Sequence, residues 1–348
     1  MVEPRRLIVL APNWLGDAVM ALPAIADVRR AFPQARVDVA ARRSVADVFR
    51  LAPSVDEVVT LDMDARWWRR AAFRADAAAL ARYDTAVLLP NSFSSAYIVK
   101  HAGVAERWGF ASDARSRLLT RAIPRPTGAR HQAEYYQALV RGLGMPAGPL
   151  IAALDVPDAA RVTARERLIE CGHVEGAPIV VLAPGAAYGK AKQWIPAHVA
   201  RLIAMLAREY RATCVLVGSR ADSAVGAAIG ATLPPLEPGR LLNLIGQTTL
   251  EALAGVLACA SVCVCNDSGA MHLAAAVGAP VVAIFGPTNE HATAPLGGDG
   301  GRVEILTENV WCRPCMLREC PIDHRCMTRI TPERVLTAVT RLAGQRRV

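Results

Sequence analysis

The sequence predicts an α/β protein made of two doubly wound domains, each a parallel sheet covered by helices. Three observations predict it. The chain has 348 residues, more than the ~100–200 that one domain commonly holds. Short, continuous Val/Ile/Leu runs alternate with longer helical patterns, as expected of parallel strands buried on both faces. The two halves also open alike: Leu7-Ile8-Val9-Leu10-Ala11-Pro12 and Ile179-Val180-Val181-Leu182-Ala183-Pro184 each end an apolar run in Ala-Pro, followed by a loop and a helix.

In the first half the apolar runs place strands at 7–11, 36–40, 57–61 and 85–89. In the second half they fall at 178–183, 213–218, 241–245, 262–265, 281–285 and 303–306. Helical patterns sit between them, for example 18–32, 197–210, 249–258 and 271–277. Such alternation builds right-handed βαβ units. The stretch 144–176 is richer in Gly, Pro and charge, with no clear strand, and the domain boundary is expected near 172. That divides the chain into domains at 1–172 and 173–330, with a last segment 331–348 whose helix starts at Thr331-Pro332, a good cap and first-turn pair.

Composition narrows the function. Apolar residues make up 53% and aromatics only 5%, which suits helices on buried strands rather than a β-sandwich. The net charge of +9 favours anionic partners, such as phosphorylated substrates, acidic lipid headgroups or nucleic acid, or else marks a solvated basic surface. The aromatic interleaving of single-strand nucleic-acid binders is missing, so nucleic acid is not an expected partner. No apolar run approaches the ~20 residues of a membrane span. The first one stops at Pro12 after about five residues, short of a signal-peptide core of ~7–15, so a cytoplasmic location is expected. Nine cysteines, an odd number, argue against a disulfide framework. Cys171, Cys214, Cys259, Cys263 and Cys265 lie in or near apolar segments and read as small core residues.

Ligands of open parallel sheets collect beyond the carboxyl ends of the strands, so candidate residues are sought just after each apolar run. Asn13-Trp14-Leu15-Gly16-Asp17 follows the first. Gly16 allows a tight turn, and Asp17 can serve either as a general base or as a helix cap. Pro184-Gly185-Ala186-Ala187-Tyr188-Gly189-Lys190-Ala191-Lys192-Gln193-Trp194 resembles a phosphate loop but is one residue short of the P-loop spacing, and Ala191 stands where Ser/Thr would hold magnesium. Backbone amides and lysine ammonium can still hold phosphate there. Asn266-Asp267-Ser268-Gly269-Ala270-Met271-His272 turns from a strand into a helix, whose free amides and dipole make an anion site. His272 can face either ligand or core. No G-x-G-x-x-G follows an opening strand and no G-x-S-x-G occurs, which disfavours dehydrogenases and α/β-hydrolases.

At these segments the chain resembles the ADP-heptose:lipopolysaccharide heptosyltransferases of glycosyltransferase family 9, most closely the heptosyltransferase II branch. The resemblance runs over nearly the whole chain and also takes in Phe285-Gly286-Pro287-Thr288. It implies a GT-B fold, two Rossmann-like domains facing across a cleft, with the acceptor on the first and ADP-heptose on the second. It implies an inverting, metal-independent transfer of L-glycero-D-manno-heptose to the first heptose of the inner core on Kdo2-lipid A, without a cofactor. The enzyme would work as a peripheral protein at the cytoplasmic face of the inner membrane. Residue by residue, the resemblance makes Asp17 the catalytic base and Lys192 the phosphate contact. Gly185, Ala186, Ser268, Gly269, Ala270 and His272 would bind the donor, with Asp267 beside its heptose, Thr248 at the adenosine and Asp222 near the ribose. Asn13, Trp14 and Gly16 would meet the acceptor.

Two basic clusters, Arg66, Arg69, Arg70 and Arg74, and Arg107, Arg115, Arg117 and Arg121, either hold acidic groups of that acceptor or form solvated helix faces. Cys312-x2-Cys315-x4-Cys320-x5-Cys326, with His324 inside it, admits a zinc site, but reduced thiols packing a loop under the last helix are the expectation. The competing functions are heptosyltransferase I, another GT-B sugar-nucleotide transferase or epimerase, and a non-enzymatic basic binding protein.

Overall fold

The computed structural model describes residues 3–62, 70–297 and 302–344. The chain divides into two compact units, 1–154 and 155–348.

The first unit holds a six-stranded sheet: β1 (Arg6–Leu10), β2 (Arg36–Arg42), β3 (Val58–Leu61), β4 (Thr85–Leu88), β5 (Glu106–Phe110) and β6 (Arg121–Ile123). Its order is β3-β2-β1-β4-β5-β6, and every pairing is parallel. The second unit repeats the plan with β7 (Ile179–Ala183), β8 (Thr213–Leu216), β9 (Leu241–Asn243), β10 (Val262–Asn266), β11 (Val281–Phe285) and β12 (Val303–Thr307). Its order, β12-β11-β10-β7-β8-β9, is the same winding read from the other edge. The two similar openings in the sequence therefore mark β1 and β7, the strands at which each sheet reverses direction. The runs Leu7–Leu10 and Ile179–Ala183 are buried along their whole length, because helices cover both faces.

Two strands escape the sequence reading. β5 (Glu-Arg-Trp-Gly-Phe) and β6 (Arg-Ala-Ile) open on charged residues and lie at or next to the sheet edge, so they carry no continuous apolar run. The helix expected at 18–32 is two helices, Leu15–Met20 and Leu22–Ala31. Pro23 stands in the first turn of the second; without an N–H it ends the earlier hydrogen-bond ladder.

The expected boundary at 172 moves to 154/155, and the reason is packing. The stretch read as linker contains a helix, Asp158–Glu170, that lies against the helix Leu250–Cys259 of the second unit. Contact is close enough that a methyl group on Gly255 would meet the Ala160 carbonyl oxygen at 2.6 Å. The last helix, Pro332–Gly344, is likewise part of the second unit rather than a separate segment. It packs on the helix Pro196–Tyr210 and on β10, β11 and β12. No described helix is long and apolar enough to cross a membrane.

Candidate active site

In the first unit, the loop after β1 leads straight into the helix Leu15–Met20. Trp14 is the extended residue that precedes this helix and its side chain makes no capping bond; Asp17 stands in the first turn and is half-buried. Gly16 is also in that first turn and is not among the positive-φ glycines, so its backbone conformation there is one that other residues adopt. Asn13 is exposed, and Trp14 is 64% exposed. The Tyr136 hydroxyl approaches Asp17 Oδ1 at 3.4 Å, from the buried side of the helix Gln132–Gly142. Burial first, and then the charge on Asp17, push the Tyr136 phenol well above its usual 10, so it stays an O–H donor. Sequence reasoning missed Tyr136: the two residues are 119 positions apart and nothing local links them.

Of the first basic cluster, Arg66 and Arg69 lie outside the described residues, while Arg70 and Arg74 are exposed on the helix Arg70–Leu80. The second cluster corrects the expectation. Arg115 is fully buried and donates to the carbonyls of Phe110 at 3.0 Å and Pro90 at 2.5 Å and to Ser95 Oγ at 3.1 Å; burial lowers it to about 10. Arg107 donates to Leu118 O at 2.7 Å, and Arg121 to Leu143 O at 2.7 Å. These guanidinium groups donate to carbonyls around the short edge strands, so they do not form a solvated helix face. Arg117 alone of the four is exposed, in the 3-10 turn Ser116–Leu118.

In the second unit, the candidate residues gather at the carboxyl ends of neighbouring strands. After β7, the loop from Pro184 ends in a short 3-10 turn, Lys190–Lys192. Asn266 is the last residue of β10 and Asp267 follows it, and after β11 comes Thr288. Lys192 Nζ lies 2.5 Å from Asp267 Oδ2, and the Thr288 hydroxyl donates to the same oxygen at 2.7 Å. The Lys192 ammonium also rests over the Tyr188 ring, 4.7 Å from its centroid. Asn266 staples the loop at both ends: its Nδ2 donates to Pro184 O at 2.7 Å, and its Oδ1 accepts from Trp194 N at 3.1 Å. Trp194 in turn donates from its ring N–H to Ile330 O at 2.8 Å.

The expectation that this loop holds phosphate through backbone amides needs correction over its second half. The amides of Ala191, Lys192, Gln193 and Trp194 already donate, to Arg318 O, Gly189 O, Lys190 O and Asn266 Oδ1. The anion-ready feature is instead the start of the helix Gly269–Ala276. Met271 N donates back to Ser268 O at 3.1 Å, which leaves the amides of Gly269 and Ala270 without a partner in the helix; Ser268 precedes it in extended conformation, and the buried Ser268 Oγ has no hydrogen-bond partner. Gly269 and Ala270 are part-exposed, whereas His272 is 3% exposed and so buried among core residues.

The remaining expected residues border the same edge. Asp222 accepts from Ser219 N and Oγ, both at 2.8 Å, which fixes its carboxylate. It sits against Gly185: a methyl group there would lie 2.2 Å from Asp222 Oδ1. Ala186 is buried beside it in sequence. Gly246, at φ +73°, brings its turn onto Arg220 and leaves Thr248 half-buried in the loop after β9. A cavity of about 770 Å³ opens at the opposite edge, beside Ile179, Ala212 and Ser261 at the amino ends of strands, away from all of these residues.

The cysteine segment packs on this edge. Arg318 O accepts from Ala191 N at 2.9 Å, His324 Nε2 meets Ala191 O at 2.6 Å, and the Tyr188 hydroxyl donates to Met316 O at 2.7 Å. All nine cysteines are free. Burial and then the neighbouring Cys312, Cys320 and Cys315 push the Cys326 thiol up to about 11. Cys326 is buried and Cys312 packs on the same core, but Cys320 is exposed and fills no packing role. Among the described residues, no group of three or more His, Cys, Asp or Glu side chains is placed to hold a metal ion.

The model of glycosyltransferase family 9 (heptosyltransferase) matches residues 77–325. Lipopolysaccharide heptosyltransferase 2 of Salmonella typhimurium is 30% identical over 98% of the chain and 99% of its own length. The structure of E. coli ADP-heptose lps heptosyltransferase II superposes with a TM-score of 0.83 at 28% identity, covering 99% of this chain and 100% of that one. E. coli heptosyltransferase WaaC with ADP shares the fold, at a TM-score of 0.72 and 19% identity over 97% of this chain and 99% of that one.

Proposed function

Because the chain belongs to glycosyltransferase family 9, the heptosyltransferases, we propose that it transfers L-glycero-D-manno-heptose from ADP-heptose to the first heptose of the lipopolysaccharide inner core. The observation that carries this reading is the Lys192–Asp267–Thr288 cluster beside an open helix start at the carboxyl end of the second sheet.

In this reading the second unit binds the donor. The diphosphate takes the amides of Gly269 and Ala270, the unpartnered Ser268 hydroxyl and the Lys192 ammonium. As the bond to the anomeric carbon breaks, negative charge grows on the departing ADP, and these preorganised groups stabilise it. Asp267 holds Lys192 in place and stands ready for a heptose hydroxyl. Asp222 and Thr248, on the neighbouring loops, serve the ribose and adenosine. The first unit binds the acceptor through Asn13, Trp14 and Gly16, with Arg66, Arg69 and Arg70 for acidic Kdo and phosphate groups. The acceptor hydroxyl attacks from the face opposite ADP, and Asp17 takes its proton, which inverts the anomeric configuration. The acceptor is lipid-borne, so the enzyme works at the cytoplasmic surface of the inner membrane.

The test is an assay with ADP-heptose and defined Kdo2-lipid A acceptors bearing zero or one heptose, with products weighed by mass spectrometry. One heptose added to the one-heptose acceptor, and none to the bare one, is the expected outcome. Addition to the bare acceptor would reassign the step, and equal use of UDP- or GDP-linked sugars would overturn the donor.

A further inference from the structure

The exposed surface of the first unit carries a contiguous strip of aromatic rings. Phe93, Tyr97 and His101 recur every four residues along the helix Phe93–His101, which puts them on one face. Phe93 is 48% exposed and Tyr97 42% exposed. Their ring centroids are 6.0 Å apart, and Tyr97 and His101 are stacked at 6.2 Å. Phe73, from the helix Arg70–Leu80, joins the strip at 5.7 Å from Tyr97 and 5.0 Å from His101. Exposed large apolar residues are ordinarily scattered singly, so a connected row of them at the surface points to a partner.

The charge around the strip says which partner. The exposed positions of the two helices include Arg70, Arg74, Lys100 and His101 and no carboxylate. Asp76, the acid of these helices, is buried and accepts from Asp62 N at 3.1 Å. Aromatic rings on two helices whose exposed described charges are all cationic match the headgroup layer of an anionic bilayer. Aromatic rings favour that depth, and each nearby cation adds attraction to acidic lipid.

We propose that Phe93, Tyr97, Phe73 and His101, with Arg70, Arg74 and Lys100 around them, form the surface by which this protein seats on an anionic membrane. The proposal rests on the reading that the acceptor is lipid-borne, and it names the surface that meets the lipid. The helix lies in the interface rather than across the bilayer: it has nine residues, far fewer than a span needs.

The test is flotation of the full chain with vesicles of phosphatidylcholine alone and of phosphatidylcholine mixed with phosphatidylglycerol, without any sugar donor or acceptor. That keeps its outcome separate from the transfer assay. The chain is expected to float with the anionic vesicles, less so at high salt. Lys100→Glu should weaken binding about fivefold or more, and the Phe93→Ser, Tyr97→Ser double variant should weaken it at least tenfold, on the scale of about fivefold per surface charge. Both variants should keep the parent melting temperature and ADP affinity, since these side chains are exposed. Failure of the parent to bind anionic vesicles, or parent-like binding by the double variant, would overturn the proposal. So would a parent dimer that the double variant breaks, which would assign the strip to a second copy of the chain.

Discussion

The Lys192 ammonium lies 2.5 Å from the Asp267 carboxylate, which is 5% exposed and also accepts from Thr288. A cation proposed to meet the donor diphosphate is thus held by a buried anion from the loop after another strand. The pair serves both the fold of the loop and the proposed chemistry, and the two roles are separable. Lys192→Met should cost of order 1–3 kcal/mol of stability by leaving a buried carboxylate underbonded, and should also raise the KM for donor. Adding Asp267→Asn to it should restore stability but not donor binding. Urea unfolding of the two single variants and the double variant decides this; strictly additive losses would mean that the pair is not coupled.

Asp17 and Tyr136 make the second pair. Asp17→Asn is expected to lower kcat by ~100-fold or more, the scale of a general base, with ADP-heptose affinity unchanged. Tyr136→Phe removes the hydroxyl at 3.4 Å and keeps the buried ring. It should lower kcat by about fivefold, the worth of one hydrogen bond near 1 kcal/mol, at unchanged KM and melting temperature. Steady-state kinetics check both. Near-normal turnover by Asp17→Asn would remove Asp17 from the reaction, and a Tyr136→Phe variant altered only in stability would make that tyrosine a packing residue.

Gly185 has no room for a side chain, because a methyl group would sit 2.2 Å from Asp222 Oδ1, and Asp222 is fixed by two bonds from Ser219. Gly185→Ala should destabilise the chain by about 1–3 kcal/mol and weaken ADP binding, as Asp222 is pushed off its anchor. Thermal melting and calorimetric titration with ADP read the two effects. A variant with parent values in both would show that the loop accommodates a methyl group at no cost.

His173 and His198 are both held below the ordinary 6.5 by burial. As pH falls through 6.5 the unfolded chain takes up protons that the native chain refuses until a lower pH. Their contribution to stability is therefore fully present above 6.5 and is lost between 6.5 and the depressed native values. Urea midpoints should fall between pH 7.5 and 5.5, and His173→Gln with His198→Gln should flatten that slope. A slope unchanged in the double variant would place the acid sensitivity in other groups.

The fold was legible wherever burial leaves a local mark. Continuous apolar runs announced β1, β4, β7, β8, β10 and β11, because a strand covered on both faces takes mostly apolar side chains. β5 and β6 left no such mark, since Glu106, Arg107 and Arg121 meet solvent or bond loop carbonyls near an edge. The domain boundary was misplaced because the helix Asp158–Glu170 declares its allegiance only by packing on residues some ninety positions later.

By itself the sequence determined the repeated α/β plan, the family, and which short segments lie beyond the strand ends. Strand propensity, turn residues and motif order are all written within a few neighbouring positions. Only the tertiary structure decided that Lys192 is paired with Asp267 across 75 residues and Asp17 with Tyr136 across 119. It also decided that Asn266 staples a loop rather than facing solvent, and that Arg115 is buried. Those outcomes depend on which strand lies beside which, and chain order alone does not carry that information.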